Sequence, residues 1–142
     1  MKFKEYSVGD DLYRDSLRLR EECLRIPLGL KLSESDKARD SEQFHFCLLD
    51  ELEMIASISV DPLNRFCVQF RQMAVKTTRQ GRGVGALLLT LVEKEMVERG
   101  YQRIVMDARV MAEAFYDKQG YQAEGERFSR VGIDHIRMSK KI

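Results

Sequence analysis

The chain predicts a mixed α/β fold in which a mostly antiparallel twisted sheet, flanked by helices, contains one parallel βαβ crossover. Three observations carry this. Two apolar runs, Phe44–Leu49 and Met54–Val60, are split only by the acidic Asp50-Glu51-Leu52-Glu53, the pattern of an antiparallel hairpin. Two further strand-like runs, Val68–Val75 and Arg103–Val110, flank a helical stripe at Val84, Leu87, Leu88, Leu91, Val92 and Met96, as a right-handed crossover between parallel strands requires. Between the first of those strands and the helix lies Gln80-Gly81-Arg82-Gly83-Val84-Gly85, a glycine-rich turn that opens directly into apolar sequence.

The elements follow in order. Phe3–Ser7 reads as a short strand. From Asp10 to Ile26, Leu12, Ser16, Leu19, Cys23 and Ile26 recur at four-three spacing with Arg and Glu on the other faces, an amphipathic helix ended by Pro27 and Gly29. Leu30–Gln43 is polar and irregular; Ser33, Ser35, Asp36, Asp40 and Ser41 offer turns or one short helix, and a mobile lid or acceptor-side segment is expected there. Pro62 and Asn64 break the connection after the hairpin. Gly100 stands where the crossover helix needs a C-terminal cap. Ala112–Lys118 predicts a short helix stopped at Gly120, and Tyr121–Ala123 and Ile133–Lys140 supply terminal strands around a charged Gly125–Arg130 loop. No repeat, low-complexity tract or linker interrupts this order, so residues 1–142 are expected to form a single domain.

Composition excludes several function classes. The 24 basic and 23 acidic side chains are interspersed, for a net charge of +1, which argues against nucleic acid as a partner. Cys23, Cys47 and Cys67 are odd in number and widely spaced in apolar contexts, the pattern of free buried thiols; no metal site is expected. No run approaches the roughly 20 apolar residues of a membrane span, and Met-Lys-Phe-Lys begins no signal-length apolar stretch, so a cytoplasmic location away from membranes is expected.

The glycine turn carries the first chemistry. Glycines on alternate positions leave no Cβ against an approaching ligand, and the helix behind them adds unpaired amides and the positive end of its dipole, so the turn suits a phosphate. Lys76, Arg79 and Arg82 add charge. Gly81-Arg82-Gly83-Val84-Gly85-Ala86 also fits the dinucleotide fingerprint, with Asp107 near the position of a ribose-binding acid. Against that reading, Lys76–Gln80 separates the strand from the first glycine, and residues 87–142 are too few for repeated βαβ units. No Lys-Ser/Thr pair follows the last glycine, so the P-loop pattern fails as well.

The turn resembles the pyrophosphate loop Q/R-x-x-G-x-G/A of the Gcn5-related N-acetyltransferase (GNAT) family, matched by Gln80, Gly83 and Gly85. Downstream, Ala112-Glu113-Ala114-Phe115-Tyr116-Asp117-Lys118-Gln119-Gly120-Tyr121 resembles the family's A-x-x-F/L-Y-x-K-x-G-F/Y signature. Within the family, RQMAV, QGRGVGA, FYDKQGY and GIDHIRM look most like the small bacterial members resembling ElaA. The resemblance, which spans Phe44 to the last residue, implies the acyl-CoA N-acyltransferase fold and an acetyltransferase with acetyl-CoA as donor and CoA as product. The acceptor is then an amine on a small molecule or a protein, attacked directly in a ternary complex, and a homodimer through terminal strands is a further expectation. A CoA-binding sensor or interaction module of the same fold, without turnover, is the alternative.

The resemblance also distributes roles. Gln80, Gly81, Arg82, Gly83, Val84 and Gly85 would hold the pyrophosphate, and the backbone of Met73, Ala74 and Val75 would pair with the pantetheine arm where the fourth and fifth strands splay. Tyr116 is the expected general acid: a phenol near pKa 10 is protonated at neutral pH and can supply a thiolate whose thiol lies around 8.5. Without the motif, a lone Tyr on such a helix reads as a core residue. Many relatives carry a glutamate on the fourth strand as base, and VQFRQMAV has none. Glu22, Asp107, His135 or a water chain remain as candidates, while His45 between Phe44 and Phe46 reads as structural. Arg109 stands where the family often has a pantetheine-binding asparagine and is expected among the cofactor-binding residues, though an arginine there can instead bind a phosphate or an acidic acceptor; with Arg71 it makes a pair able to recognise a carboxylate, or both are solvated strand charges. No Cys is expected at the site, which discounts a covalent acetyl-enzyme.

Overall fold

In a computed structural model describing residues 1–142, the expected hairpin forms from β2 (Phe44–Asp50) and β3 (Glu53–Pro62), paired antiparallel from Phe44↔Val60 to Asp50↔Glu53. Burial of every β3 residue from Met54 to Asp61 marks a central strand covered on both faces. β1 (Lys2–Tyr6) pairs antiparallel with β2, and β4 (Cys67–Val75) with β3. β5 (Arg103–Arg109) pairs parallel with β4, and β7 (Ile133–Lys141) joins β5 antiparallel, with β6 (Gln122–Arg130) outside it. One seven-stranded sheet results, in the order β1-β2-β3-β4-β5-β7-β6, with β4–β5 its one parallel pair, as the sequence predicts.

Two layers of helix cover it. α3 (Val84–Glu98) buries Val84, Leu88, Leu89, Val92 and Met96 in a core cluster of 19 residues on one face. Each fully buried Leu there contributes roughly 1.5–3 kcal/mol relative to exposure. α1 (Asp11–Leu24) covers the other face through Leu19, against Tyr6, Cys47, Leu49, Met54 and Ala74. α4 (Glu113–Lys118) follows β5, through one 3-10 turn at Val110–Ala112.

Three expectations change. α1 ends at Leu24 rather than Ile26, because Pro27 imposes a 3-10 turn at Ile26–Leu28 that leaves Ile26 55% exposed. Leu30–Gln43 is anchored rather than free. Its short helix α2 (Glu34–Lys37) starts at a Ser33/Asp36 capping box, and Arg25 grips Asp36 at 2.8 Å. Asp40 then pairs with Arg20 at 2.8 Å, both side chains being almost wholly buried. Gly125–Arg130 belongs to β6 and is not a loop: pairing resumes at Phe128↔His135 after an irregularity beyond Glu124, and the reversal falls at Val131–Gly132, both at positive φ.

The feature that positions the site is in β4. Register runs from Ser59↔Arg71 to Ser57↔Ala74, so β4 carries one extra residue at the level of Gln72, which sits at φ +52°. Parallel pairing with β5 stops at Phe70↔Met106. Beyond that point β4 stays with β3 while β5 stays with β7 as far as Arg109↔His135, and the two strands part.

Candidate active site

The parted strands open into a cavity of about 690 Å³, lined on its two banks by Arg71, Gln72 and Met73 from β4 and by Asp107, Ala108 and Arg109 from β5. Lys76 N–H donates to Ile55 O at 2.8 Å, which makes Val75–Ala56 the non-hydrogen-bonded pair of that ladder. The main-chain groups of Val75 therefore face away from β3, toward the gap, and Gln72 and Met73 have no β3 partner at all. Ala74, opposite Ser57, turns its N–H and C=O into the β3 ladder, so of the three expected backbone positions it is the one without free groups. The Val75 carbonyl is already engaged, by Gln80 Nε2 at 3.0 Å and by Cys23 Sγ at 3.3 Å. Gln80 thus ties the glycine turn to the strand.

The turn itself fits an anion. Gly81 and Gly83 adopt φ +76° and +80°, where L side chains are strained, and a Cβ on either would meet nothing within 4 Å, leaving the concavity open. Gly83 caps α3 and its carbonyl takes the first helical bond, from Leu87 N–H, so the amides of Val84, Gly85 and Ala86 point outward unpaired. Gly85 is glycine for another reason: a Cβ there would lie 2.9 Å from Met73 Cε and 3.4 Å from Phe115 Cζ. Its bareness lets α3 close on β4. Of the three expected cations, Lys76 pairs with Glu53 at 2.8 Å and Arg79 with Asp50 at 2.7 Å, which leaves exposed Arg82 for a ligand.

Tyr116 enters from α4. Its ring stands edge-on to Phe115 and Tyr121, and its hydroxyl meets only Met73 Sδ at 3.7 Å, a weak acceptor on the opposite bank. Burial pushes the phenol up to about 12, against a small pull from Arg109, so it is a protonated donor with no strong partner. Cys23, which the sequence does not place here, lies close by through its contact with Val75. Burial, then the Glu22 charge, pushes its thiol up, so it is a protonated donor and not a nucleophile.

The base candidates separate. Glu22 is exposed and lines a different groove with Asp15, Arg18 and Lys76, away from the cavity. Asp107 does line the cavity, but Arg130 and Arg137 hold it at 2.9 and 3.1 Å. His135 lines it too, buried and stacked on Phe128, with Nδ1 3.0 Å from Ile133 O. A carbonyl accepts only, so Nδ1 carries a proton, and of the two neutral tautomers this contact selects the one with its lone pair on Nε2. His45 is structural as expected: Nε2–H donates to Asp40 O at 2.7 Å and Nδ1 accepts from Ser59.

Sequence reading misses the scaffold behind the bulge. Arg20 Nε donates to Gln72 Oε1 at 2.6 Å, and Gln72 Nε2 donates to Asp36 O at 2.9 Å. Tyr13 donates to Asp40 at 2.6 Å. One signal pointed here: polar Ser16 inside an apolar stripe, with Arg20 one turn on, marks a polar seam on the buried face of α1.

Residues 31–142 match the model of the acetyltransferase (GNAT) domain. The chain is similar to the uncharacterized N-acetyltransferase YjcF of Bacillus subtilis, 25% identical over 139 residues that cover 93% of this chain and 94% of that one. Its fold is similar to the crystal structure of Escherichia coli ElaA, at a TM-score of 0.84 and 16% identity over 99% of both chains. It is also similar to a GNAT family acetyltransferase from Elizabethkingia anophelis with acetyl-CoA bound, at a TM-score of 0.76 and 16% identity over 99% and 97%.

Proposed function

The chain belongs to the GNAT acetyltransferase family and is an acyltransferase whose donor is acetyl-CoA; from that premise we propose that it acetylates a primary amine by direct attack in a ternary complex. The observation that carries this is the gap between β4 and β5, with an anion cradle at one end, a protonated Tyr116 within it and His135 in the cavity at the other. When bound, acetyl-CoA supplies a thioester carbonyl for the amine to attack and a sulfur to leave. The outward amides of Val84, Gly85 and Ala86, with Arg82, hold its pyrophosphate. Met73 and the N–H of Val75 present main-chain groups to its pantetheine arm, and a β4 N–H steadies the negative charge that develops on the carbonyl oxygen, an effect worth roughly 3–4 kcal/mol per donor.

Two side chains handle protons. Tyr116 donates to the departing sulfur, and its hydroxyl is available because Met73 Sδ competes so weakly for it. His135 Nε2 accepts the amine proton and passes it to solvent. Arg109, replacing the family's asparagine, donates to Leu24 O at 2.9 Å and so serves the acceptor side rather than the pantetheine amides. Calorimetric titration with acetyl-CoA, CoA and NADH, followed by thiol release over an amine panel, tests the reading. Acetyl-CoA binding with amine-dependent release is expected, and NADH binding alone would sink it.

A further inference from the structure

The cavity beyond the gap has a charge pattern that bears on the acceptor. Three carboxylates line it, and each is consumed: Asp36 by Arg25 at 2.8 Å, Asp61 by Arg39 at 2.9 Å, and Asp107 by Arg130 and Arg137 together. Arg71 and Arg109 also line it and have no acid. Six arginines against three aspartates leave the walls with three surplus positive charges.

The two unpaired arginines are not placed like solvated surface charges. Both are only partly exposed, and they stand on opposite banks, just past the last β4–β5 pair, Phe70↔Met106. Arg109 uses one donor, on Leu24 O, and Arg71 uses none. Burial and the neighbouring Arg25 charge both disfavour the charged form of Arg109, a cost that a bound anion removes. Two planar forks facing a common space suit an oxyanion. His135 sits directly opposite Arg109 in the β5–β7 register, which brings an acid-binding group and a proton acceptor onto adjacent strands. Polycationic amines meet the reverse: no free carboxylate awaits a second ammonium, and the surplus charge repels it.

We propose that the acceptor is a small anionic amine, whose carboxylate or phosphate is clamped between Arg71 and Arg109 while its amine meets the acetyl group. This rests on the acetyl-transfer reading of the gap. The test is thiol release from acetyl-CoA with free amino acids, the same amino acids as amides, glucosamine 6-phosphate, glucosamine and spermidine. An acid-bearing amine should exceed its uncharged counterpart at least 100-fold in kcat/KM, and the carboxylate and phosphate arms identify which acid it is. Arg71→Gln should raise KM for that acceptor at least 30-fold while acetyl-CoA affinity, read by calorimetry, stays unchanged. Preference for the amides, for glucosamine or for spermidine overturns the proposal and leaves the transfer reading standing. Acetyl-CoA bound with no transfer to any acid-bearing amine overturns it too. Failure to bind acetyl-CoA removes the transfer reading and the proposal together.

Discussion

In the proposed reaction the donor end of the gap is made mostly of backbone and the acceptor end of charged side chains, and the two ends are held by different physics. At the donor end, Gly81 and Gly83 at positive φ, three unpaired amides and one free arginine form a cradle inside residues 81–86. At the acceptor end, α1, α2, β3, β4, β5, β7 and the β6–β7 turn each contribute to the cavity wall. Behind that wall the buried Arg20–Asp40 pair holds Gln72 in its strained conformation. A local motif tolerates change elsewhere in the chain. A side-chain assembly depends on every element that feeds it.

Lesions at the two ends should therefore differ in kind. The largest effect belongs to Tyr116→Phe, between them, which should lower kcat by about 100- to 10,000-fold with acetyl-CoA affinity retained; unchanged turnover with a verified acceptor would remove its role as acid. Asp40→Ala strands a buried guanidinium and should cost about 3–5 kcal/mol in chemical denaturation. A combined Arg20→Met, Asp40→Leu variant should recover that stability but still lose acceptor turnover, because Gln72 then loses its bond from Arg20 and keeps only the one to Asp36 O; full activity in it would show that the network only stabilises.

At the donor end, Gly83→Val places a β-branched residue at φ +80°, which should cost about 1–2 kcal/mol of stability and abolish measurable acetyl-CoA binding by calorimetry. Normal binding in that variant would mean the cradle lies elsewhere. The smallest effect is a pH dependence confined to the acceptor end. Hydrogen bonds from Arg25 lower Asp36 from 3.8 to about 2. Its contribution is fully present above the unfolded value and fades as pH falls from about 4 toward 2. Denaturation of wild type and Asp36→Asn across that range should show the difference between them shrink; a constant difference would deny the ion pair its effect.

The same contrast explains what was legible in the sequence. The glycine turn, the crossover and the Tyr116 helix are local patterns, and all lie where they were read. Gly85 was placed correctly but for a different reason, since the need for a missing Cβ comes from Met73, a residue on another element. β6 was legible only as far as Ala123, because nearly all its residues from Gln122 to Arg130 are exposed and no apolar alternation announces the rest of an edge strand. Arg20 was read with the solvated face of α1; only its partner at Asp40, distant in sequence, makes its burial affordable in free energy. The bulge at Gln72 has no sequence signature at all, since it depends on the register of β3. Glu22 looked as good a base as His135 until the fold put them in different cavities.

One contact joins the two ends. Met73 fills the space that a Cβ on Gly85 would occupy and also receives the Tyr116 hydroxyl, so three elements touch in series through a single flexible side chain. In terms of inheritance, positions 73, 85 and 116 are coupled through that side chain. A lineage that gains a methyl at 85 must swing or shorten 73, and either change alters what the phenol meets across the gap; substitutions at these positions should be correlated.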